Sequence, residues 1–386
     1  MASGMMYAQK KEISSARDDV HQGKNLENAE KTMQRLLRDS ANRRNEKIWE
    51  ILFDSQRKQY EQGNEKLYLN QKYDTLTLFN TASRMFTSME AYDSIDALPD
   101  KKGRVRPRYR KDNSELLNTL RPNLYRGGLF LLHRQKYAEA YALFCQYLDC
   151  AGQPLFADYH YAERDTQMSA AAYWALYSAY KMNDAVKVLH HAPLALTDGT
   201  HHELVLQHLS ETYFVIKDTM RAVAMLRDGF SRYPHTSYFY THLIDYFTQT
   251  RQWDEALVLT DSALHKDSAN VVYPLTKSSI LLNKGCYKES YAISDSLLQH
   301  NDSLTEAHLN AGLAKFNEAV TLDKMTQTSK RRKAIIKLYR EALPHLEIYR
   351  KASPDRMDLW GLPLYTIYLN LNMGKQFDEI DKLMKK

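Results

Sequence analysis

The 386-residue chain predicts an all-α solenoid of stacked antiparallel helix pairs. Three observations carry that expectation. Glycine (13) and proline (10) are scarce while 44% of the residues are hydrophobic. Scarce chain punctuation favours long helices and short turns over a many-turned β fold. Apolar residues recur at helical spacing in one segment after another. The middle of the chain also repeats itself every 34 residues. A solenoid escapes the size limit of a single core, because each unit packs only on its neighbours.

The first nine residues, MASGMMYAQ, carry no basic stretch of the kind that opens a signal peptide. Tyr7-Ala8-Gln9 before Lys10-Lys11 reads as an ordinary ragged end or as the cleavage end of a signal peptide whose front is missing. Residues 1–10 are accordingly expected to be a disordered terminus or a signal-peptide remnant. Segments 13–37 and 46–60 are amphipathic, with Leu26, Met33, Leu36, Leu37 and Ile48, Ile51, Leu52 at helical spacing. Segment 73–98, with Leu76, Phe79, Met85, Phe86 and Met89, adds another helix. Residues 11–98 thus form divergent N-terminal helix pairs. A loop over 99–113 follows, marked by Gly103 and Pro107.

Residues 203–236, 237–270 and 271–304 align in rows of 34. The eighth column reads Ser210, Ile244, Ser278 and the twentieth Ala222, Ala256, Ser290. The eleventh reads Tyr213, Phe247, Leu281 and the twenty-seventh Gly229, Ala263, Leu297. Small residues recur where two antiparallel helices cross closely, and large ones fill the space beside the crossing. Ile244 departs from this and splays its pair. Gly128, Ala140 and Phe144 continue the register in 121–154; Ala185, Leu189 and Ala192 continue it after a helix over 169–181. Gly312 restarts it in 305–356, where Ala342 and Leu346 take the later slots after some 18 additional residues that lengthen both helices. Thr200 with Glu203 and Ser303 with Glu306 fit capping boxes. The final stretch, 357–386, reads as a capping helix pair with Gly374 in its turn, closing a repeat region that runs over 114–386.

This pattern resembles the tetratricopeptide repeat (TPR) consensus, with its 34-residue period, from residue 121 to the end. The resemblance implies a right-handed α-α superhelix of roughly eight antiparallel helix pairs. It also implies a non-enzymatic scaffold that binds a protein or peptide segment in its concave groove. Mapped by column, that groove takes Gln207, Glu211, Phe214, Tyr238, Thr241, Asp245, Gln249, Leu275, Ser279, Asn283 and Asn317. Amides in this set suit a peptide backbone, and Tyr238 and Phe214 suit apolar anchors. The family's lysine-based clamp for a C-terminal carboxylate is missing: the fifth column holds Gln207, Thr241, Leu275 and Leu309. The chain is similar to multi-repeat exported TPR proteins of Gram-negative bacteria, which implies a periplasmic or otherwise exported location, the cytoplasm being the alternative.

Other chemistries leave little trace. Seven cations and no anion fall in 101–111: Lys101, Lys102, Arg104, Arg106, Arg108, Arg110 and Lys111. With a formal net charge of +6, the rest of the chain sums to −1, so the basic excess is local. The loop is either a solvated connection or a contact for phosphate, an anionic membrane surface or an acidic partner. Nucleic acid is disfavoured, since only Tyr109 is interleaved with the charges. Lys330-Arg331-Arg332-Lys333 reads as the solvent face of a long helix. Three cysteines, Cys145, Cys150 and Cys286, make no disulfide framework and read as buried thiols. His190, His191, His201, His202 and His208 cluster in sequence, yet no HExxH or cysteine partner signals zinc, and they read as surface and turn residues. No phosphate loop, dinucleotide fingerprint or nucleophile elbow is present. No enzyme activity, cofactor or metal is expected, and no apolar run is long enough for a transmembrane segment.

Overall fold

The computed structural model describes residues 2–100, 102–326 and 328–385, and these are helical without strands. Contacts divide the chain into unit 1, residues 1–222, and unit 2, residues 223–386.

Unit 1 begins with α1 (Ala2–Gln22), α2 (Leu26–Leu37), α3 (Glu46–Tyr68) and α4 (Thr75–Asp96). The segment 13–37, expected as one helix, is split: Gly23 and Asn25 both take left-handed backbone conformations. Residues 2–10, expected to be a disordered terminus or a signal-peptide remnant, belong to α1. α2 buries Leu26, Ala29, Met33 and Leu36, one stripe at helical spacing. Beside that stripe the buried Glu30 carboxylate accepts hydrogen bonds from Gln56 (3.0 Å), Gln59 (2.8 Å) and Arg84 (2.8 Å), tying α2 to α3 and α4. Its charge is tolerated because both oxygens accept hydrogen bonds and one donor is a guanidinium. Asp74 caps α4 by accepting the Leu76 and Thr77 N–H groups.

Then come α5 (Arg110–Leu120), α6 (Pro122–His133), α7 (Tyr137–Asp149), the short α8 (Tyr161–Arg164), α9 (Met168–Lys181), α10 (Ala185–Ala195) and α11 (His202–Val215). α6 pairs with α7 and α9 with α10. Arg121, almost wholly buried, lies between the Tyr147 and Tyr161 rings at 3.7 Å from each and pairs with Asp165 at 2.6 Å. Helix α12 (Thr219–Arg232) runs across the boundary between the units.

Unit 2 continues with α13 (Ser237–Gln249), α14 (Trp253–Lys266), α15 (Val272–Lys284), α16 (Tyr287–His300), α17 (Thr305–Asp323), α18 (Ser329–Ala352), α19 (Met357–Asn370) and α20 (Gly374–Met384). Successive helices pack as antiparallel neighbours, a TPR-like stack. The additional residues expected in 305–356 do lengthen both members of that pair, to 19 and 24 residues against 13 and 14 in the pair before.

The recurrence of small residues has its physical basis in direct contacts. Ser278 and Ser290, from the eighth and twentieth columns, exchange hydrogen bonds across α15 and α16 (Oγ to Oγ, 3.1 Å), and Ser294 joins them at 2.6 Å. A Cβ on Gly128 would meet the Phe144 ring at 2.6 Å, and one on Gly312 would meet Leu346 at 2.7 Å. These are eighth-column glycines facing twenty-fourth-column bulk.

Around α10 the repeat register differs from the expected one by three residues. The turn between the two helices of a pair places Asn183, Lys217, Arg251 and Gly285 at positive φ, each 34 residues after the last. Counting from that turn, Val188 and not Ala185 occupies the twentieth column. Val188 is 1% exposed, while Ala185 opens α10 and is half-buried. A three-residue slip moves a side chain by nearly one helical turn and keeps it on about the same face, so the apolar pattern hid the slip. In that repeat the eighth column is Leu176 and the twenty-fourth Ala192, both buried: bulk and smallness have changed sides.

Both expected capping boxes are replaced by local side-chain turns. α11 and α17 start without a side-chain cap. Asp198 instead takes the Thr200 N–H and the His201 ring, and Asn301 takes the Ser303 N–H and hydroxyl. At the C-terminus Asn372, not Gly374, holds the left-handed turn position, and Gly374 is the first residue of α20.

Candidate protein-interaction surfaces

Of the eleven groove residues, Gln207, Glu211 and Phe214 belong to unit 1 and the others to unit 2. In unit 2, Tyr238, Thr241, Asp245 and Gln249 follow one face of α13, and Leu275, Ser279 and Asn283 follow one face of α15. Thr241, Asp245, Gln249 and Asn283 are exposed; Tyr238, Leu275, Ser279 and Asn317 are half-buried. Tyr238 is braced by the His242 ring, 3.9 Å between centroids. Part of the set serves packing. The amide of Asn310, on α17, donates to Ser279 Oγ at 2.9 Å and reaches the Leu275 carbonyl at 3.5 Å. Asn310 had no signal in the sequence, since a buried amide looks like any other asparagine until its partner helix is known.

In unit 1 the Gln207 amide donates to Glu203 at 3.2 Å, and Glu211 accepts the Tyr180 hydroxyl. Around them lies an aromatic group that column counting overlooked. Tyr180 stacks on His208 with centroids 4.3 Å apart, Tyr177 lies 5.7 Å from the same imidazole, and Trp174 packs on Tyr177. The exposed Lys181 sits 5.3 Å from the Tyr177 ring and 5.7 Å from Tyr180. The juxtaposition depends on which face of α9 meets α11, which column position does not give.

His190 is exposed as expected, whereas His191, His201 and His208 are more deeply embedded. His201 stacks on Tyr173 at 4.1 Å. Burial pushes the rings of His191 and His208 down to about 4, so both stay neutral near neutral pH. His191 faces Cys145 at 3.3 Å and Tyr141 at 3.1 Å. Burial pushes the Cys145 thiol up to about 11. A protonated thiol beside a neutral imidazole is the reverse of an activated thiolate–imidazolium pair. Cys150 is buried, whereas Cys145 and Cys286 are half-buried; all three are free. Among the described residues no three His, Cys, Asp or Glu side chains gather as a metal site.

The basic segment is partly neutralised from within. Lys101 lies outside the described residues. Arg110 and Lys111 fall in α5 and not in the loop. Arg110 makes a two-pronged pair with the buried Asp93, both contacts 2.8 Å, and Arg104 pairs with Asp100 at 3.0 Å. Asp96 accepts the Arg108 and Tyr109 N–H groups. Lys102, Arg106, Arg108 and Lys111 remain exposed. The exposed cluster at Lys330, Arg332 and Lys333 lies in the first turns of α18. No described helix is long and apolar enough to cross a membrane.

No family model matches the chain, and no curated protein matches it in sequence. Solved structures align with it at low identity. PilW, described as a widely conserved type IV pilus biogenesis factor, is 14% identical over 57% of this chain and 93% of its own, with a TM-score of 0.34. A monomeric mutant of IFIT1 with Gppp-AAAA is 12% identical over 81% of this chain and 69% of its own, at 0.39. The TPR domain of P58(IPK) is 11% identical over 98% of this chain and 99% of its own, at 0.27.

Proposed function

We propose that the chain is a non-enzymatic scaffold that holds an extended protein segment against the first helices of its pairs. One observation carries this reading. In unit 2 the α13 face aligns exposed Thr241, Asp245 and Gln249 behind the braced Tyr238 ring, while α15 adds exposed Asn283. Hydroxyl, carboxylate and amide groups at helical spacing suit the backbone of an extended chain, and Tyr238 offers an apolar anchor. The surface rests on packed helices, so little ordering entropy opposes binding. A photo-crosslinking amino acid at Thr241, introduced in native cells, tests the reading. Capture of a defined protein, lost with Asp245→Arg plus Tyr238→Ala and missing from a control at exposed Lys288 on α16, is the expected outcome. Equal capture from both positions, or capture that survives the double substitution, would remove this face from the account.

A second reading is favoured by the exposure of Lys102, Arg106, Arg108 and Lys111: docking of the basic segment on an anionic membrane surface. Liposome binding across a salt series separates the two, since docking through the cations falls steeply with salt and segment binding on α13 and α15 changes little. We also propose a periplasmic or otherwise exported location, supported by the resemblance to exported proteins of this type, with the cytoplasm as the alternative. Fractionation of native cells checks that placement.

A further inference from the structure

In unit 1, helices α3, α4 and α5 border a cleft of about 530 Å³, the size of a small-molecule site. Four carboxylates line it: Glu50 and Asp54 from α3, Asp112 and Glu115 from α5. Phe53, Met89 and Leu116 supply apolar wall. Asp54, Asp112 and Glu115 are exposed and Glu50 is half-buried, so the acidic groups run from the rim inward.

The chain's own cations do not neutralise this set. Among the described lining residues the one cation is Arg57, which pairs with Glu61 at 2.7 Å. Glu50 and Asp54 also border a neighbouring recess that holds Arg17, His21 and Lys58. Lys58 is taken by the Val20 and His21 carbonyls, at 2.7 and 3.3 Å. Of the basic segment, Arg104 and Arg110 are taken by Asp100 and Asp93. Desolvation, aided by Glu50, holds the Asp54 carboxyl above its ordinary range against the pull of Arg57, Lys58 and His21.

A row of exposed carboxylates can simply be solvated, but here a buried group accompanies it. Tyr92 is 2% exposed and forms part of the cleft wall, and its hydroxyl has no hydrogen-bond partner among the described residues. A buried hydroxyl is rarely left unpaired, because nothing then offsets its lost hydration. Trp49 stacks on the Tyr92 ring at 5.9 Å and Tyr109 lies against it at 5.6 Å, so the ring is held in place. Burial first, then Glu46, Tyr109, Asp96 and Glu50, push the Tyr92 hydroxyl above the ordinary phenol range. Tyr109 and Glu50 are wall residues too, which sets the oxygen on the cleft side. It is a neutral phenol with lone pairs to offer.

An ammonium group matches these surroundings. It brings three N–H donors for a phenol oxygen and carboxylates, and its charge is attracted to tyrosine ring faces. A metal ion does not match, since among the described residues no three His, Cys, Asp or Glu side chains gather as ligands. Charge spread along an apolar wall suits an elongated organic cation.

We propose that this cleft binds an alkylammonium ion, its nitrogen held by the Tyr92 hydroxyl and Glu50 and its chain lying on Phe53, Met89 and Leu116. The ion is a free diamine or the side chain of a lysine. The site lies apart from the α13 and α15 surface and does not depend on it.

Isothermal titration calorimetry on the full chain tests the site with two probes, cadaverine and the peptide acetyl-Gly-Lys-Gly-amide. Saturable binding of either is the expected result, and the one that binds identifies the source of the ammonium. Tyr92→Phe removes only the unpaired oxygen. It should weaken binding about tenfold, the size of one hydrogen bond to a charged group, and leave the melting temperature unchanged or higher. Glu50→Gln should weaken binding about fivefold. Asp245→Arg plus Tyr238→Ala should leave the affinity unchanged, so failure here and failure of the unit 2 surface read out separately. Binding of neither probe, or full affinity in the Tyr92→Phe protein, would overturn the site.

Discussion

His191 and His208 are held as neutral rings by burial, and each makes an acid-sensitive contribution to stability. Above about pH 6.5 the folded and unfolded chains both carry neutral imidazoles at these positions. As pH falls from there to about 4, the unfolded chain takes up protons that the folded chain refuses, and stability drops by on the order of 1–3 kcal/mol per ring. Below the folded value the loss is complete. The half-buried Glu90 carboxyl, pushed up to about 7 chiefly by desolvation, works in the opposite direction over the same range, so the comparison is between proteins: thermal melts over pH 4–7 should show His208→Phe losing less stability on acidification than the parent chain, and identical slopes would mean that His208 is not the buried base described. Smallness at single positions is equally specific. A Cβ on Gly229 would come within 2.2 Å of the Phe239 ring, and Gly312 abuts Leu346. Gly229→Ala should cost about 1–3 kcal/mol in urea unfolding, since overpacking forces rings off their rotamers.

Between elements, the recurring left-handed turn position has a measurable cost. Lys217 and Arg251 occupy it with φ of 64° and 57°, where Gly285 sits at 91° in the following repeat. A residue with a Cβ is strained there by about 1–2 kcal/mol, offset in glycine by a larger loss of chain entropy. Arg251→Gly should therefore raise stability by up to about 1 kcal/mol, read as a higher melting temperature. The same turn shows how much of the fold was legible. Helix pairs, the long pair α17/α18 and the serine and glycine crossings follow from composition and column, because they depend on side-chain size. The break at Gly23–Asn25 was missed because the apolar stripe continues on both sides of it. Val188 was missed because a three-residue slip leaves the hydrophobic face nearly intact. Of the candidate surface, the α13 and α15 positions were readable by column. Trp174, Tyr177, Tyr180 and His208 were not, since their juxtaposition depends on which face of α9 meets α11.

At the scale of the whole molecule, stacked pairs should transmit damage only to their neighbours. Gly312→Ala is expected to raise hydrogen exchange in α17 and α18 most, in α15, α16 and α19 less, and in α13 not at all. A uniform rise through unit 2 would indicate a single cooperative core instead. The account's central claim is that small side chains recur where the two helices of a pair touch. A cysteine pair tests it most directly: Ser278→Cys with Ser290→Cys, oxidised mildly and mapped by mass spectrometry. The hydroxyls they replace lie 3.1 Å apart across the α15/α16 crossing. A rapid intramolecular 278–290 disulfide in the folded protein is the predicted result; free thiols at both positions, or bonding of either to Cys286 in preference, would contradict the register on which the fold and its surfaces depend.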